Sequence, residues 1–402
     1  MAENTRNKTL LKTALLSVCL VGSAMNGITG NIPEMAKSFP SVPLYIIELL
    51  TTIPALFAMF GVLTGKSIAH RAGYKKTLLL GIALCAVGGS LPFFIRSFYL
   101  IFVTRCLFGI GNGFIISTLM TLIIHFFEGS ERSGMIGLQG SINGLGSALS
   151  SFIGGQLLVF GWQRSFAIYF VGFLIFPFVL TVVPEVKQIG SKSSGESMKD
   201  SSGRNADSRL NQETSAFADA AGLAGCAALM FISVGLLAFF TIKASSLITG
   251  SGYGTSTDGS TTIAVISLGA VLTGALYGRM HKTFKGFDLF FFYAVSAAGF
   301  FICRSSQSLI VTFAAAFLAG IGYMGFIPFL QDRVAKRHYR FGETATAVIL
   351  IAQSLGSFAA PYLGKMLDLF TEDLKTEFMI VGILYCLLAA VALVLRFRDS
   401  RR

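Results

Sequence analysis

Four charged side chains fall in or beside stretches of sequence that are otherwise apolar. Arg105 lies about seven residues inside one end of an apolar run, and Glu48 lies about five residues inside the corresponding end of another. At a rise of about 1.5 Å per residue the two sit at similar depth, so they could pair. A lone charge in an apolar medium costs at least roughly 2.5–3.5 kcal/mol, so each such residue needs a reason. Two reasons are open for this pair. It could be a buried ion pair that orients two helices, or a carboxylate tuned by a nearby guanidinium to respond to protons or substrate. Lys243, near the end of its run, either snorkels to an interface or offers a cationic contact to an anion. Glu34 stands just beyond the first run, where it is either solvated or a gating or protonation residue. Asp288 and Asp332 fall at run ends and read as cap or loop charges. Neutral polar groups lie within runs as well: Asn26, Thr29 and Asn31, then Asn112, Gln139, Asn143 and Gln353. Gln139 and Asn143, four apart, share a helix face. The chain has no GxxxxGK[ST] phosphate loop, no HExxH and no GxSxG. Neither ATP-driven chemistry nor hydrolysis is therefore expected. No cofactor is expected, and an ion or proton gradient is the expected energy source.

The elements that carry these residues follow from composition. The chain has 402 residues, 53% hydrophobic and only 13% charged, with a mean hydropathy of +0.70. An ordinary soluble domain carries about 25% charged residues. A helix needs about 20 apolar residues to cross a bilayer. Twelve runs meet that length, at 13–32, 43–64, 77–95, 98–124, 134–157, 166–183, 219–245, 261–280, 287–304, 308–330, 344–364 and 377–396. An open sheet would leave edge amides unsatisfied in lipid, so these are read as helices. The first run follows Arg6, Lys8 and Lys12 but has no small-residue cleavage pattern, so it is read as a retained helix.

The net charge of +12 resides in the gaps between runs. One alternate set of gaps holds only Lys37, Arg96, Arg164, Arg304, Lys365 and Lys375, while most of the 32 basic residues fall in the other set. This is the positive-inside pattern, with both termini cytoplasmic, rather than a nucleic-acid surface. Cys19, Cys85, Cys106, Cys226, Cys303 and Cys386 all lie in or at the ends of apolar runs, without CxxC or Cys/His pairing. They read as small buried hydrophobes.

The polar stretch from 185 to 217 is rich in Ser and mixed charge and reads as a flexible cytoplasmic connector. It divides the chain into six-run halves, 1–184 and 218–402. The halves echo each other. Gly65-Lys66 with His70 to Lys76 matches Gly278-Arg279 with His281 to Gly286. GIGNG at 109–113 matches GIGYMG at 320–325. Gly146, Gly154 and Gly155 match Gly356, Pro361 and Gly364. Three matched pairs, each six spans apart, indicate duplication.

These features resemble the major facilitator superfamily over the whole chain. Arg71, Gly73, Lys75 and Lys76 match that family's loop signature after the second span; His70 replaces its acidic residue and Gly65 stands one position early. Arg105 followed by Gly109, Gly111 and Gly113 resembles the span-four signature of the drug/proton antiporter subgroup. Gly146, Gly154 and Gly155 partly match its span-five signature, with Ser150 and Ser151 in place of the central Gly-Pro. Gly161-Trp162, with Arg164 and Phe166, fits the family's habit at span six. The resemblance implies an all-α membrane protein of twelve transmembrane helices in two pseudo-symmetric six-helix bundles, and it implies that spans one, four, seven and ten line a central cavity. That nominates Asn26, Arg105, Asn112, Lys243 and Tyr323, with Phe239, Phe240 and Phe326, for substrate or coupling roles. Spans five and eleven would form the seam on which the halves rock. The loop with Gly65, Arg71, Gly73, Lys75 and Lys76 would gate the cytoplasmic side.

The expected function is secondary transport of small organic compounds, as a proton-coupled exporter, without enzymatic activity. Uptake of a small organic anion remains open, favoured by Arg105 and Lys243. A non-transporting membrane receptor or scaffold is the alternative of another class. Expected partners are the lipid bilayer, a small molecule and protons, with no nucleic acid. A monomer in the plasma membrane is expected.

Overall fold

The computed structural model describes residues 2–186, 206–284, 286–337, 342–371 and 373–400. Among the described residues, twelve helices are long and apolar enough to cross a membrane. They are α1 (Lys8–Ser38), α2 (Leu44–Ala72), α3 (Tyr74–Phe93), α4 (Phe98–Phe126), α5 (Gly129–Phe160) and α6 (Trp162–Val182), followed by α7 (Ala220–Gly250), α8 (Ser256–His281), α9 (Asp288–Ser305), α10 (Leu309–Val334), α11 (Ala347–Leu367) and α12 (Leu374–Phe397). All twelve expected spans are present. Several run past their apolar cores, because the polar residues at their ends continue the backbone ladder into the flanking regions. Of the expected connector, 187–205 lies outside the described residues. The helix leading into α7 begins at Ala206, inside the expected connector.

An even number of spans puts Lys8 and Phe397 at one end of the bundle, called here the terminal end. Each half has its own buried core. One is built on residues such as Leu78, Phe108 and Phe166, the other on Phe240, Phe300 and Phe378. Between helices in lipid no hydrophobic drive operates, so close packing of small residues takes its place. The repeated glycines do this in the same way twice. A side chain at Gly109 or Gly113 would press on the Pro54 or Ala58 carbonyl of α2, and one at Gly111 on the Gly81 carbonyl of α3. In the other half, Gly320 abuts the Ile266 carbonyl of α8, and Gly322 abuts Phe292 and Ser296 of α9. So α4 wedges between α2 and α3 as α10 wedges between α8 and α9, which is the duplication in three dimensions.

The first span is not a regular helix. Residues Ala24–Asn31 form a 3₁₀ stretch, and helix resumes at Ile32–Ser38 with Pro33 in its first turn. A mid-helix 3₁₀ stretch leaves carbonyls without α-helical partners, and these need donors in an apolar surround. Ser151 of α5 donates to the Asn26 carbonyl at 3.1 Å, and Ser245 of α7 donates to the Gly30 carbonyl at 3.0 Å. The Ser-Ser departure from the expected span-five pattern thus has a physical use.

The halves meet chiefly through two helix pairs, α5 on α8 and α11 on α2. Spans five and eleven, the expected seam, both lie at the boundary, where each packs on a helix of the opposite half. Gly155 faces Ser260 of α8 across that boundary, whereas Gly146 faces Ser23 and Gly154 faces the Gly27 carbonyl within the first half. Gly356 faces the Phe231 carbonyl within the second half, and Pro361 is buried in α11.

Candidate functional site

A cavity of about 740 Å³ lies between the halves. Its walls are α5 from Ile136 to Ser147, α8 from Ile263 to Ala275, and α7 from Val234 to Thr241. Asn26 of α1, Tyr323 and Met324 of α10, and Ser357 of α11 complete it. Among the described residues, none of those lining it is charged. Its polar groups are amides and hydroxyls: Asn26, Asn143, Ser141, Ser147, Thr241, Ser267, Tyr323 and Ser357. The Asn26 amide donates to Ser147 Oγ at 3.0 Å, which fixes its oxygen relative to the cavity. Such a chamber can hold a molecule by apolar contact and neutral hydrogen bonds.

The cavity opens toward the terminal end. There Gly134, Gly137 and Gly140 of α5 and Gly278 of α8 are exposed, and a side chain added at any of them would meet nothing within 4 Å. Toward the opposite end the same two helices close. Gly144 abuts Val271, and the Thr257 hydroxyl donates to the Gly155 carbonyl at 3.0 Å. Ser256 reaches Glu34 Oε1 at 3.2 Å, across the halves. Glu34 also takes Lys37 at 2.9 Å, so it is a partly exposed contact at the closed end and not a freely solvated charge.

Beneath these contacts lies a buried ion pair, Lys243 Nζ to Glu48 Oε1 at 3.1 Å. Lys243 is 3% exposed and Glu48 0%. This corrects two expectations at once. Glu48 pairs with Lys243 of the other half and not with Arg105 of its own, and Lys243 does not snorkel. Gly364 is the reason the pair can form. A Cβ there would stand 2.9 Å from Lys243 Cε, so the missing side chain leaves the channel in which the lysine lies. Beside the pair, the Tyr45 and Tyr362 rings approach across the halves at 6.2 Å, and Lys365 Nζ sits 4.2 Å from the Tyr45 ring centre.

Arg105 is fully buried, away from the cavity lining. Its guanidinium lies 4.7 Å from the Phe108 ring centre and 4.9 Å from that of Tyr169. None of its three nitrogens makes a hydrogen bond of acceptable geometry among the described residues. Asn112 likewise misses the lining; its side chain lies against the position of Gly22 in α1. Phe239, Phe240 and Phe326 are buried in the core of the second half, with Phe240 and Phe300 rings 5.1 Å apart. Of the nominated cavity residues, the structure therefore places Asn26 and Tyr323 in the wall. Span four is not in it, because α4 is held between α2 and α3; α5 and α8 take its place.

The other nominated positions are structural neighbours of these. Gly65 packs against Phe114 and Ser117 of α4. Gly73 has φ 101°, closes α2 through its amide to the Ala69 carbonyl at 2.9 Å, and leaves space taken by the Glu185 carboxylate after α6. The Tyr74 amide donates to the Val186 carbonyl at 3.1 Å. The acidic group absent at His70 is thus replaced near this loop by Glu185. Arg71 and Lys76 are exposed and Lys75 is half-buried. Asp288 stands at the start of α9, a helix end as expected, but it is fully buried, 3.3 Å from His281 Nδ1. Four cysteines are buried, but Cys106 is half-buried and Cys386 exposed. Asn143, singled out in the sequence among the polar groups within apolar runs, stands in the wall. Ser147, Thr241, Ser267 and Ser357 have no individual signal beyond lying in apolar runs; Ser147, four residues after Asn143, shares its helix face.

Residues 14–361 match the family model described as Major Facilitator Superfamily. The hexuronate transporter of Bacillus subtilis is 28% identical over 116 residues, which are 29% of this chain and 27% of the relative. The quinolone resistance protein NorB of Staphylococcus aureus is 25% identical over 182 residues, 45% of this chain and 39% of the relative. The aligned regions thus span well under half of either relative. A POT family transporter in complex with 5-aminolevulinic acid superposes with a TM-score of 0.72 at 13% identity, covering 96% of each chain. A D-xylose-proton symporter superposes with a TM-score of 0.70 at 14% identity, covering 96% of this chain and 97% of that one. At these identities the likeness is one of fold.

Proposed function

Because the chain belongs to the Major Facilitator Superfamily, we propose that it exports small uncharged or amphipathic organic compounds by alternating access, driven by the proton gradient. The basic loops lie at the terminal end, which by the positive-inside rule faces the cytoplasm of a plasma membrane. The two halves, 1–184 and 218–402, would rock about the cavity, which in this conformation opens to the cytoplasm. The observation that carries the reading is the cavity wall: amides, hydroxyls and aliphatic groups with no charge among them. A greasy molecule with a few hydrogen-bonding groups fits that wall. Similarity to a protein named for quinolone resistance supports export.

Similarity to a hexuronate transporter favours the second reading, uptake of an organic anion. Among the described residues, an anion entering this cavity would meet no cation in its lining; Arg105 lies under aromatic rings and Lys243 is held by Glu48. The cost of an unpaired buried charge weighs against that reading. The test is flux in liposomes of purified protein under an imposed pH gradient. Neutral and weakly basic amphipaths should move against their gradient and organic carboxylates should not. Preferential carboxylate flux would replace the substrate class, and flux indifferent to the pH gradient would remove proton coupling.

A further inference from the structure

The 3₁₀ stretch of α1 joins the cavity to the closed end. Asn26, near its start, stands in the cavity wall, where its amide donates to Ser147 Oγ at 3.0 Å and its carbonyl accepts from Ser151. Gly30, near its far end, lies against two helices of the other half. The Ser245 hydroxyl of α7, 0% exposed, donates to its carbonyl at 3.0 Å, and Ser260 of α8 takes the space a side chain would need. Asn31, fully buried, donates to the Trp162 carbonyl at 3.2 Å and ties the end of the stretch to α6. Among these contacts, those of Asn26 and Asn31 stay within the first half, and those of Gly30 cross between halves.

The sequence makes the winding depend on the crossing contact. A carbonyl at position i takes the amide of i+3 in a 3₁₀ helix and of i+4 in an α-helix. Residue 33 is proline and has no amide hydrogen. Wound as 3₁₀, the stretch leaves the Gly30 carbonyl without a helical donor. Wound as α, it gives Gly30 the Glu34 amide and leaves the Thr29 carbonyl instead. Ser245 supplies the donor that Gly30 lacks, and it can do so only while the halves are together at this end. Once that end opens, water can serve either carbonyl, and the better bond geometry of the α-helix decides. Each residue passing from 3₁₀ to α turns about 20° less and rises about 0.5 Å less. From Asn26 to Gly30 this amounts to about 100° and about 2.5 Å, enough to carry the Asn26 side chain off Ser147.

We propose that this stretch is a winding switch between the cavity and the closed end: it stays 3₁₀ while Ser245 holds the Gly30 carbonyl, and winds to α-helix when the halves part there, withdrawing Asn26 from the cavity wall. Asn26 then offers a substrate its hydrogen bond from the cytoplasmic side and removes it on the other, so affinity falls where an exporter must release. By linkage, substrate held at Asn26 steadies the closed end, and opening it takes work from the gradient. That use rests on the export reading; the switch itself does not.

The test is a disulfide within the first half, which rocking of rigid halves would leave untouched. The full chain in lipid carries Asn26→Cys and Ser147→Cys, with Cys106→Ser and Cys386→Ser, and is oxidised with copper phenanthroline. The joined peptides are quantified by mass spectrometry. Hydrogen exchange of α7 from Ile242 to Gly250 reports opening of the closed end. The parent should cross-link readily. That end is opened in two independent ways: Glu48→Ala removes the ion pair, and Gly155→Leu strikes Ser260 of α8. Each should speed the exchange and lower cross-linking together. A disulfide formed before either variant opens should hold exchange at the parent rate, and reductant should release it. Ser245→Ala should speed exchange on the order of 2- to 10-fold, the weight of one hydrogen bond, and Ser245→Thr should not. Cross-linking that stays at the parent level while exchange rises overturns the proposal, as does a disulfide that leaves the faster exchange unchanged. A parent that does not cross-link, or Ser245→Ala exchanging as slowly as the parent, also overturns it. If all this holds while an imposed pH gradient drives no flux, the export reading fails and the switch stands.

Discussion

At Arg105 two magnitudes compete. Burying a cation in a membrane helix costs at least roughly 2.5–3.5 kcal/mol. Its ring contacts with Phe108 and Tyr169 return about 2 kcal/mol when desolvated, and among the described residues no hydrogen bond of acceptable geometry adds to that. The charge is therefore not favourable here on balance, and replacing it with an apolar side chain of similar length should not destabilise this state. Arg105→Met is expected to melt at or above the wild-type temperature and yet to lose transport, because the charge would be needed in the conformation with the other end open. A clear fall in melting temperature, or wild-type flux in liposomes, would count against that role. The same residue shows where sequence reading stops. Depth along the helices suggested Glu48 as its partner, and depth was right for Glu48. The partner was wrong because Lys243 arrives from the other half, and contact between halves depends on the conformational state, which spacing does not encode.

Helices α5 and α8 are packed at one end and apart at the other, so glycines along α5 should differ in what they tolerate. Gly154 lies against the Gly27 carbonyl, and Gly137 faces open space. Gly154→Leu should overpack α1 against α5, at a cost of about 1–3 kcal/mol, and lower the melting temperature. Gly137→Leu should melt like the wild type and still block transport, since in the other state that end must close. If both melt alike, these packing assignments fail. A smaller test concerns the start of α12. The Thr376 hydroxyl donates to Asp373 Oδ2 at 2.7 Å, joined by the Lys375 and Thr376 amides, and this holds the Asp373 carboxyl below its usual range. The sign follows from linkage: the stabilisation is present above the ordinary value of about 3.9 and fades as pH falls through the lowered one. Asp373→Ala should cost about 1 kcal/mol at neutral pH, as lost caps do, and the gap in thermal melts should close in acid. Twelve spans were legible because apolar length alone specifies a crossing. The 3₁₀ stretch of α1 was not, because what makes it tolerable is Ser151 and Ser245, far along the chain.

For the molecule as a whole, duplication was legible in the glycines and reappears as two equivalent wedges, but the cavity wall was not. Which helix faces turn inward is decided by how one half leans on the other, so α4 was expected where α5 and α8 stand. The leaning itself can be measured. A cysteine replacing Gly140 would project into open cavity, and one replacing Ser260, 1% exposed between α8 and Gly155, would be sealed. With Cys106 and Cys386 replaced by serine to remove the reactive background, Gly140→Cys should label with a membrane-impermeant maleimide from the terminal side, and Ser260→Cys from neither. Adding Glu48→Ala removes one partner of a buried ion pair, a loss worth about 3–5 kcal/mol in the state that contains it. A two-state equilibrium is nearly inverted by about 5.5 kcal/mol, so a loss of that size moves much of the population. Labelling at Gly140→Cys should then fall, and labelling at Ser260→Cys should appear from the opposite side. If both positions label from the terminal side whether or not Glu48 is present, the Lys243–Glu48 pair does not hold the halves closed.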